Sequence, residues 1–308
     1  MLTLIIPTKN HGIYLENLLD NVVFSGPSPV TQLLICNDAS TDNTAEILAK
    51  YSGDKRIRVF ENATSVGAMR ACEMMFSLVE TPYVMMLASD DLFFPEQLAK
   101  VFEETVRRNA YMGYGKYMIL EGEQLTELNH PGWQARRFKP GCDFEALMGF
   151  DQYTFLIVMR KEFLPKHGSS EFLYDASLDK LVEADGLGML RAHDWNFALE
   201  MAIAHPDRIY FLDEYCGCFR KVENQLSTDS IYVHTGRAVF EMALLILKYL
   251  VNYELRQRIK SEPYFHTATK NLFYAKFAGV TEAAKQSRNF QEIYKPIILA
   301  ADALLNNM

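Results

Sequence analysis

The feature that most constrains the fold is an alternation of short apolar runs and amphipathic segments across the first third of the chain. The apolar runs predict four strands, at Leu2–Pro7, Gln32–Cys36, Ile57–Phe60 and Tyr83–Leu87. Between them, apolar residues recur three and four positions apart, which is the spacing of one face of a helix. The strands show no polar alternation, so the sequence predicts an α/β fold with a parallel sheet covered by helices on both faces.

The second part of the chain has a looser pattern. Residues 121–143 are polar and contain two Pro-Gly pairs, which predicts a long loop of the kind that often forms a functional lid. Further elements are predicted as a strand at Gln152–Arg160, a helix at Trp195–Ile203, and two short strands at Ile209–Leu212 and Cys216–Arg220. From about Thr235 onward the pattern is helical.

Composition sets limits on the class of protein. The 308 residues are 49% apolar, enough for a substantial core, and the net charge of −8 argues against non-specific nucleic-acid binding. Five cysteines without a C-x-x-C pair indicate reduced thiols, as in a cytoplasmic protein. No segment is apolar for long enough to predict a membrane span.

Acidic residues follow the predicted strands. Asp90-Asp91 comes after the fourth apolar run, Asn37-Asp38 after the second, and the polar segment Pro7–His11 ends the first. Because ligands of parallel sheets bind beyond the carboxyl ends of the strands, we expect these segments to converge at one edge. For Asp90-Asp91 two interpretations compete: a cap for the helix that Pro95 begins, or a site for Mg²⁺ or Mn²⁺ shared with substrate phosphates. Asp38 is either a turn residue or an acceptor for a nucleobase N–H.

Three blocks carry a family resemblance: LIIPTKN, ICNDASTDNT and TPYVMMLASDDLFFPEQL. In this order and spacing they resemble the nucleotide-binding half of glycosyltransferase family 2, which has the GT-A fold. The resemblance is strong over residues 1–105, weaker over 106–225 and absent afterwards. It implies a Rossmann-like, mostly parallel central sheet flanked by helices. We therefore predict a GT-A catalytic domain at 1–225, with a nucleotide-binding half (1–105) and an acceptor-binding half (106–225), followed by a C-terminal helical region at 226–308.

The resemblance also implies roles for individual residues. It places a nucleotide pocket at Pro7, Thr8, Asn10, Asp38 and Asp90. Arg70, on the third helix, is a further nucleotide-binding candidate near the diphosphate side of such folds; the alternative is an ordinary exposed arginine. It implies a divalent metal, Mn²⁺ or Mg²⁺, bound by Asp91 together with Asp90. Two positions depart from the family pattern, since Ala88 and Asn37 stand where the family usually has aspartate.

A second group of candidates lies in the segment RAHDWNFALEM and in two other places. In the family a carboxylate precedes a helix that faces the acceptor, so Asp194 is the predicted general base; the alternative is an ordinary N-cap for the helix at Trp195. His193 either orients Asp194 or the acceptor, or is a solvated loop residue. Arg220 could contact the leaving diphosphate, and Trp133, on the long loop, the acceptor.

The resulting expectation is an inverting glycosyltransferase that moves a sugar, from a UDP-sugar before other donors, to a saccharide or a lipid-linked saccharide. Its setting would be cell-surface polysaccharide synthesis at the cytoplasmic side of the membrane. The C-terminal helices are compatible with a homodimer interface, an acceptor cover or peripheral membrane contact.

Three alternatives compete with this expectation. Ala88 leaves room for a nucleotide-sugar-binding or interaction protein without turnover, but the retained Asp38, Asp90, Asp91 and Asp194 argue against it. A sugar-nucleotide pyrophosphorylase would need a glycine-rich loop after the first strand, where only Gly12 stands. A dehydrogenase would need G-x-G-x-x-G at the same place.

Overall fold

We describe the structure from a computed structural model. The residues described are 1–24, 28–128, 156–164, 166, 176–186, 190–204, 208–222, 230–260 and 263–308. The predictions for Trp133 and for most of the long loop lie outside them. The chain divides into two compact units. The first comprises Met1–Phe144, Tyr153–Tyr174 and Phe197–Lys221, and the second comprises Glu145–Gln152, Asp175–Asn196 and Val222–Met308.

The described strands all belong to the first unit. They are β1 (Leu2–Thr8), β2 (Val30–Asn37), β3 (Ile57–Glu61), β4 (Tyr83–Met86), β5 (Leu92–Phe93), β6 (Met112–Glu121), β7 (Gln124–Glu127), β8 (Val158–Arg160) and β9 (Ile209–Lys221). Its helices are α1 (Gly12–Phe24), α2 (Thr44–Lys50), α3 (Ala68–Phe76) and α4 (Pro95–Arg107).

The remaining helices include one, α6, that crosses the boundary between the units. They are α5 (Ala176–Val182), α6 (His193–Ala204), α7 (Ser230–His234), α8 (Arg237–Leu250), α9 (Tyr253–Lys260), α10 (Pro263–Ala278), α11 (Glu282–Lys285) and α12 (Lys295–Asn306). A π-helical turn at Phe290–Tyr294 precedes α12. None of the described helices is both long and apolar enough to cross a membrane.

The described strands form one sheet in the order β3-β2-β1-β4-β8-β6-β9-β5, with β7 paired to β6. β3, β2, β1 and β4 are mutually parallel, while β8 is antiparallel to both β4 and β6. The α/β fold predicted from the sequence is confirmed. Every residue of β1 is buried, Thr3 and Thr8 included, as expected where both faces of a parallel sheet are covered.

Three element predictions need correction. The predicted loop from residue 121 begins instead with a hairpin, because Glu121 pairs with Gln124 and Gly122 takes a positive φ in the turn. The two short strands predicted after residue 208 are the single strand β9, whose pairing with β6 shifts register at Lys116. Asp213 and Glu214 are the extra residues before the Lys116 pair and Cys216 is the extra residue after it, so a bulge, and not a loop, interrupts the apolar pattern. Within the described residues, the strand predicted at Gln152–Arg160 is β8 alone.

Candidate functional site

The loops that follow β1 and β2 are joined by hydrogen bonds at the carboxyl edge of the sheet. The Asp38 amide donates to the Thr8 carbonyl at 2.8 Å. The Asn10 side-chain oxygen accepts from the Thr41 amide at 2.7 Å, and the Asn10 amide donates to the Ser40 hydroxyl at 2.9 Å. The expected convergence of these two segments is therefore present.

Two non-glycine residues in these loops have left-handed backbone conformations. Asn10 has φ 55° and Ala39 has φ 58°. Asparagine tolerates this region, whereas alanine does so at a cost of about 1 kcal/mol. Such strain persists only where surrounding contacts hold it, and it concentrates at functional sites.

Asp38 is buried and accepts four hydrogen bonds from the loop that follows β3. Asn62 Nδ2 and the Ser65 hydroxyl donate at 2.7 Å, and the amides of Val66 and Gly67 donate at 2.8 Å. Burial alone would raise the pKa of Asp38, but these donors more than offset it and hold the pKa below its usual value. Asp38 thus fixes the approach to α3, a contact that the sequence did not predict.

Thr8 ends β1 directly opposite Asn37 of β2. It is 3% exposed, and its hydroxyl oxygen has no hydrogen-bonding partner among the described residues. Buried polar atoms in native proteins nearly always have a partner, so an orphaned hydroxyl at this edge favours a site for a ligand or water. Pro7, the residue before it, is also buried.

Asp90 and Asp91 lie in a tight turn after β4, in which the Asp91 amide donates to the Ala88 carbonyl at 3.1 Å. The helix-cap interpretation of this pair is wrong. The N-cap residue of α4 is Phe94, without a side-chain capping bond, and the two-residue strand β5 separates the acids from the helix. Both side chains are nearly inaccessible, since Asp90 is 6% and Asp91 1% exposed.

Arg220, near the end of β9, holds this turn. Its amide donates to Asp91 Oδ1 at 2.7 Å, and its Nε donates to the Asp90 carbonyl at 2.6 Å. The guanidinium also lies 5.0 Å from the centre of the Tyr14 ring. The structure therefore brings Arg220 to the acidic turn, and its contact with a diphosphate stays a prediction.

His11 is a site residue that sequence reasoning missed. Its Nδ1 is 2.8 Å from the Ser89 hydroxyl and 3.9 Å from Asp90 Oδ1, and the ring packs edge-on against Tyr14. His11 follows Asn10 in the first of the converging loops, and that position was the available signal. It links the β1 loop to the acidic turn.

The acidic turn fits a divalent cation only in part. Among the described residues, no group of three or more His, Cys, Asp or Glu side chains could hold a metal. Cys218 lies near Asp91, but burial and then the Asp91 charge raise the pKa of its thiol to about 11, so it stays protonated. Two carboxylates suit Mg²⁺ or Mn²⁺ when substrate oxygens and water supply the other ligands.

The remaining predicted residues have separate positions. Arg70 is exposed on α3. Asp194 lies in the first turn of α6, which begins at His193, so Asp194 is not the N-cap of a helix at Trp195. His193 is not a solvated loop residue either: it is fully buried, and its Nε2 is 2.9 Å from Asp179 Oδ1. Its predicted role in orienting Asp194 or the acceptor stays a prediction.

Comparison with known proteins agrees with this geometry. Residues 3–167 match the family model described as glycosyl transferase family 2. The chain is 28% identical over 95 residues to the UDP-Glc:alpha-D-GlcNAc-diphosphoundecaprenol beta-1,3-glucosyltransferase WfgD of Escherichia coli, covering 31% of this chain and 37% of WfgD. Matches to three further curated relatives cover 39%, 52% and 35% of those proteins, so the chain spans about half their length or less.

Two solved structures share the fold. S. aureus TarS in complex with UDP-GlcNAc superimposes with a TM-score of 0.62 at 17% identity, covering 97% of this chain and 79% of that one. The mannosyltransferase PcManGT from Pyrobaculum calidifontis, in complex with GDP-Man and Mn²⁺, gives a TM-score of 0.59 at 14% identity, covering 98% and 86%. Identities this low establish the fold alone.

Proposed function

Because the chain belongs to glycosyltransferase family 2, we propose that it moves a sugar from a nucleoside-diphosphate sugar to an acceptor hydroxyl by an inverting displacement. The observation that carries this proposal is the meeting of the β1 loop, the β2 loop and the acidic turn at one sheet edge. A UDP-sugar is the first donor to test, since WfgD is named for UDP-Glc and TarS was solved with UDP-GlcNAc.

The donor would bind across this edge. We assign the nucleoside to the ends of β1 and β2. Thr8 ends β1 and has the hydroxyl without a partner among the described residues, and Asp38 directly follows β2. Pro7 and Asn10 would line the same pocket through backbone groups, and Arg70 is a further candidate on α3. The diphosphate would lie toward Asp90 and Arg220, whose guanidinium supplies the positive charge.

A divalent metal is part of the proposal, because PcManGT was solved with Mn²⁺ and the acidic turn offers two carboxylates. Asp91 and Asp90 are the residues that would hold it. When bound, Mn²⁺ or Mg²⁺ would stabilise the negative charge that develops on the leaving diphosphate.

The chemical step needs a proton acceptor. The acceptor oxygen forms a bond to the anomeric carbon while the bond from that carbon to the diphosphate oxygen breaks, and the hydroxyl proton must leave. We propose that Asp194 takes this proton, an effect typically worth about 10²–10⁴-fold in rate. Its place in the first turn of α6 is one where acidic residues are favoured.

The acceptor class follows from WfgD, whose named acceptor is a sugar on a lipid diphosphate. We propose a saccharide or lipid-linked saccharide acceptor in surface polysaccharide synthesis.

One observation favours a second candidate: Ala88 replaces the first acid of the family motif, and this suits a protein that binds nucleotide-sugars with weak or no turnover. Release of UDP from UDP-glucose or UDP-N-acetylglucosamine, with and without saccharide acceptors, separates the two.

The first test is calorimetric titration of the full chain with UDP and GDP, with and without Mn²⁺. We expect Mn²⁺ to tighten binding of one diphosphate by about tenfold or more, equal to about 1.4 kcal/mol. Asp91→Asn and Asp90→Asn keep the side-chain shape and should lose that dependence. The matched control is Asp213→Asn, an exposed acid on β9, the strand that carries Arg220. If neither diphosphate binds under either condition, the proposed function is wrong.

A further inference from the structure

The segment that leads into α6 is held by two buried carboxylates, Glu241 and Asp179. Glu241, on α8, accepts from the amides of Arg191 and Ala192, each at 3.0 Å on Oε2. Asp179, on α5, accepts from the Leu190 amide at 2.8 Å and contacts His193 Nε2 at 2.9 Å. These residues all belong to the second compact unit.

Beyond Asp194, the first turn of α6 is held by the same helix α8. The Tyr249 hydroxyl donates to Asn196 Oδ1 at 2.5 Å and to the Asn196 carbonyl at 3.1 Å. The Asn196 amide in turn donates to the Ala192 carbonyl at 2.9 Å, which closes the first turn of the helix. α8 therefore contacts the two residues directly before α6 and, at Asn196, the end of its first turn.

Glu241 is held in place by charge. Arg237 Nε donates to its Oε1 at 2.7 Å and the Tyr232 hydroxyl to its Oε2 at 3.0 Å, and Arg237 also pairs with Asp185. Burial raises the pKa of Glu241, and the charge of Arg237 opposes that rise. Among the described residues, four donors face this carboxylate.

We propose that Glu241 is a positioning residue for the transfer reaction: it fixes the backbone that carries Asp194. The inference rests on the proposed role of Asp194 as base. Glu241 binds the two backbone amides that directly precede α6, although it lies about 50 residues later in the chain. The C-terminal helical region, which contains Glu241, would then be needed for the transfer reaction, because it fixes the position of the proposed base.

The test is Glu241→Gln in the full chain, which keeps the shape of the side chain. An amide cannot accept from both Arg237 and the backbone amides, so one of those contacts is lost. Hydrogen exchange, which needs no substrate, should quicken about tenfold or more in peptides covering residues 190–196 and stay unchanged in β1 and β2. Glu282→Gln is the matched control, since its side chain is 85% exposed in the same region. Unchanged exchange at 190–196 overturns the proposal.

Turnover gives the second measurement. With the UDP-sugar that the wild type cleaves, kcat should fall about 10- to 100-fold while the KM for the donor stays within about threefold. If Glu241→Gln does not fold, Tyr249→Phe tests the second attachment of α6 to α8, because it removes two contacts to Asn196 without changing any charge and leaves the one from Lys248 Nζ at 2.9 Å. If Asp194→Asn is inactive and Glu241→Gln has wild-type kcat, the positioning role is wrong. If Asp194→Asn is fully active, the base assignment itself is wrong.

Discussion

Asp38 shows how one residue can serve the fold before it serves a ligand. The sequence predicted that its carboxylate would contact a nucleobase, and that contact stays a prediction. The structure adds four donors from the loop after β3, including the amides of Val66 and Gly67. Any effect of substituting Asp38 on nucleotide binding must therefore be separated from an effect on this loop.

We expect Asp38→Asn to lower the free energy of unfolding by about 1–3 kcal/mol, because its amide group meets N–H and O–H donors that the carboxylate accepted. Urea denaturation measures this, and Asp213→Asn serves as a surface control.

The pH dependence of this contribution to stability has a definite sign. Since the folded-state pKa is lowered, ionised Asp38 stabilises the fold above its unfolded pKa of about 3.9. The contribution is lost as the pH falls through the lower folded value. If the difference in free energy of unfolding between wild type and Asp38→Asn does not shrink below about pH 4, this account is wrong.

Among the elements, the two-residue strand β5 fixes the end of the acidic turn, because it follows that turn directly and pairs with β9. That pairing needs Gly217. A Cβ at this position would lie 2.4 Å from the Leu92 carbonyl oxygen and 3.0 Å from Phe93 Cα, so the two backbones could not approach as they do. β9 thus holds the acidic turn in two ways. It pairs with β5, which follows the turn, and its Arg220 forms hydrogen bonds with Asp90 and Asp91 within the turn.

We expect Gly217→Ala to destabilise the chain by about 1–3 kcal/mol, since backbone atoms must move to admit the methyl group. It should also weaken binding of whichever diphosphate the wild type takes. Thermal unfolding and the same calorimetric titration measure the two effects. Gly53→Ala is the matched control, because nothing lies within 4 Å of its added Cβ. Equal melting temperatures for the two variants would count against the close approach of β5 and β9.

For the whole molecule, the C-terminal helices are joined to an earlier part of the chain within one unit. Arg237 on α8 pairs with Asp185 and Glu241, and the Tyr294 hydroxyl donates to Asp185 at 2.6 Å. The second unit therefore includes Asp175–Asn196 as well as the C-terminal region. The domain boundaries predicted from the sequence remain a prediction.

We expect Arg237→Met to destabilise the chain by about 3–5 kcal/mol, because it leaves two buried carboxylates without their cation. Without Arg237, whose charge opposes the rise that burial causes, the pKa of Glu241 would rise further. The cost of its charge is then largest at neutral pH and shrinks as the pH falls toward the usual carboxyl pKa of about 4. Melting temperatures of wild type and variant over this pH range check the prediction. If the difference in melting temperature between wild type and Arg237→Met stays constant or grows on acidification, the prediction is wrong.

The sequence by itself determined the α/β alternation, the four parallel strands and the acidic residues at their ends. These follow from local periodicity and from the rule that the carboxyl ends of parallel strands share an edge. Only the tertiary structure decided that His11 and Arg220 reach the acidic turn, that β9 is one bulged strand, and that His193 is buried. Each of these depends on a contact between residues far apart in the chain, such as Arg220 with Asp91 or His193 with Asp179. No local pattern encodes such a partner, because the chain must fold before the two groups are neighbours.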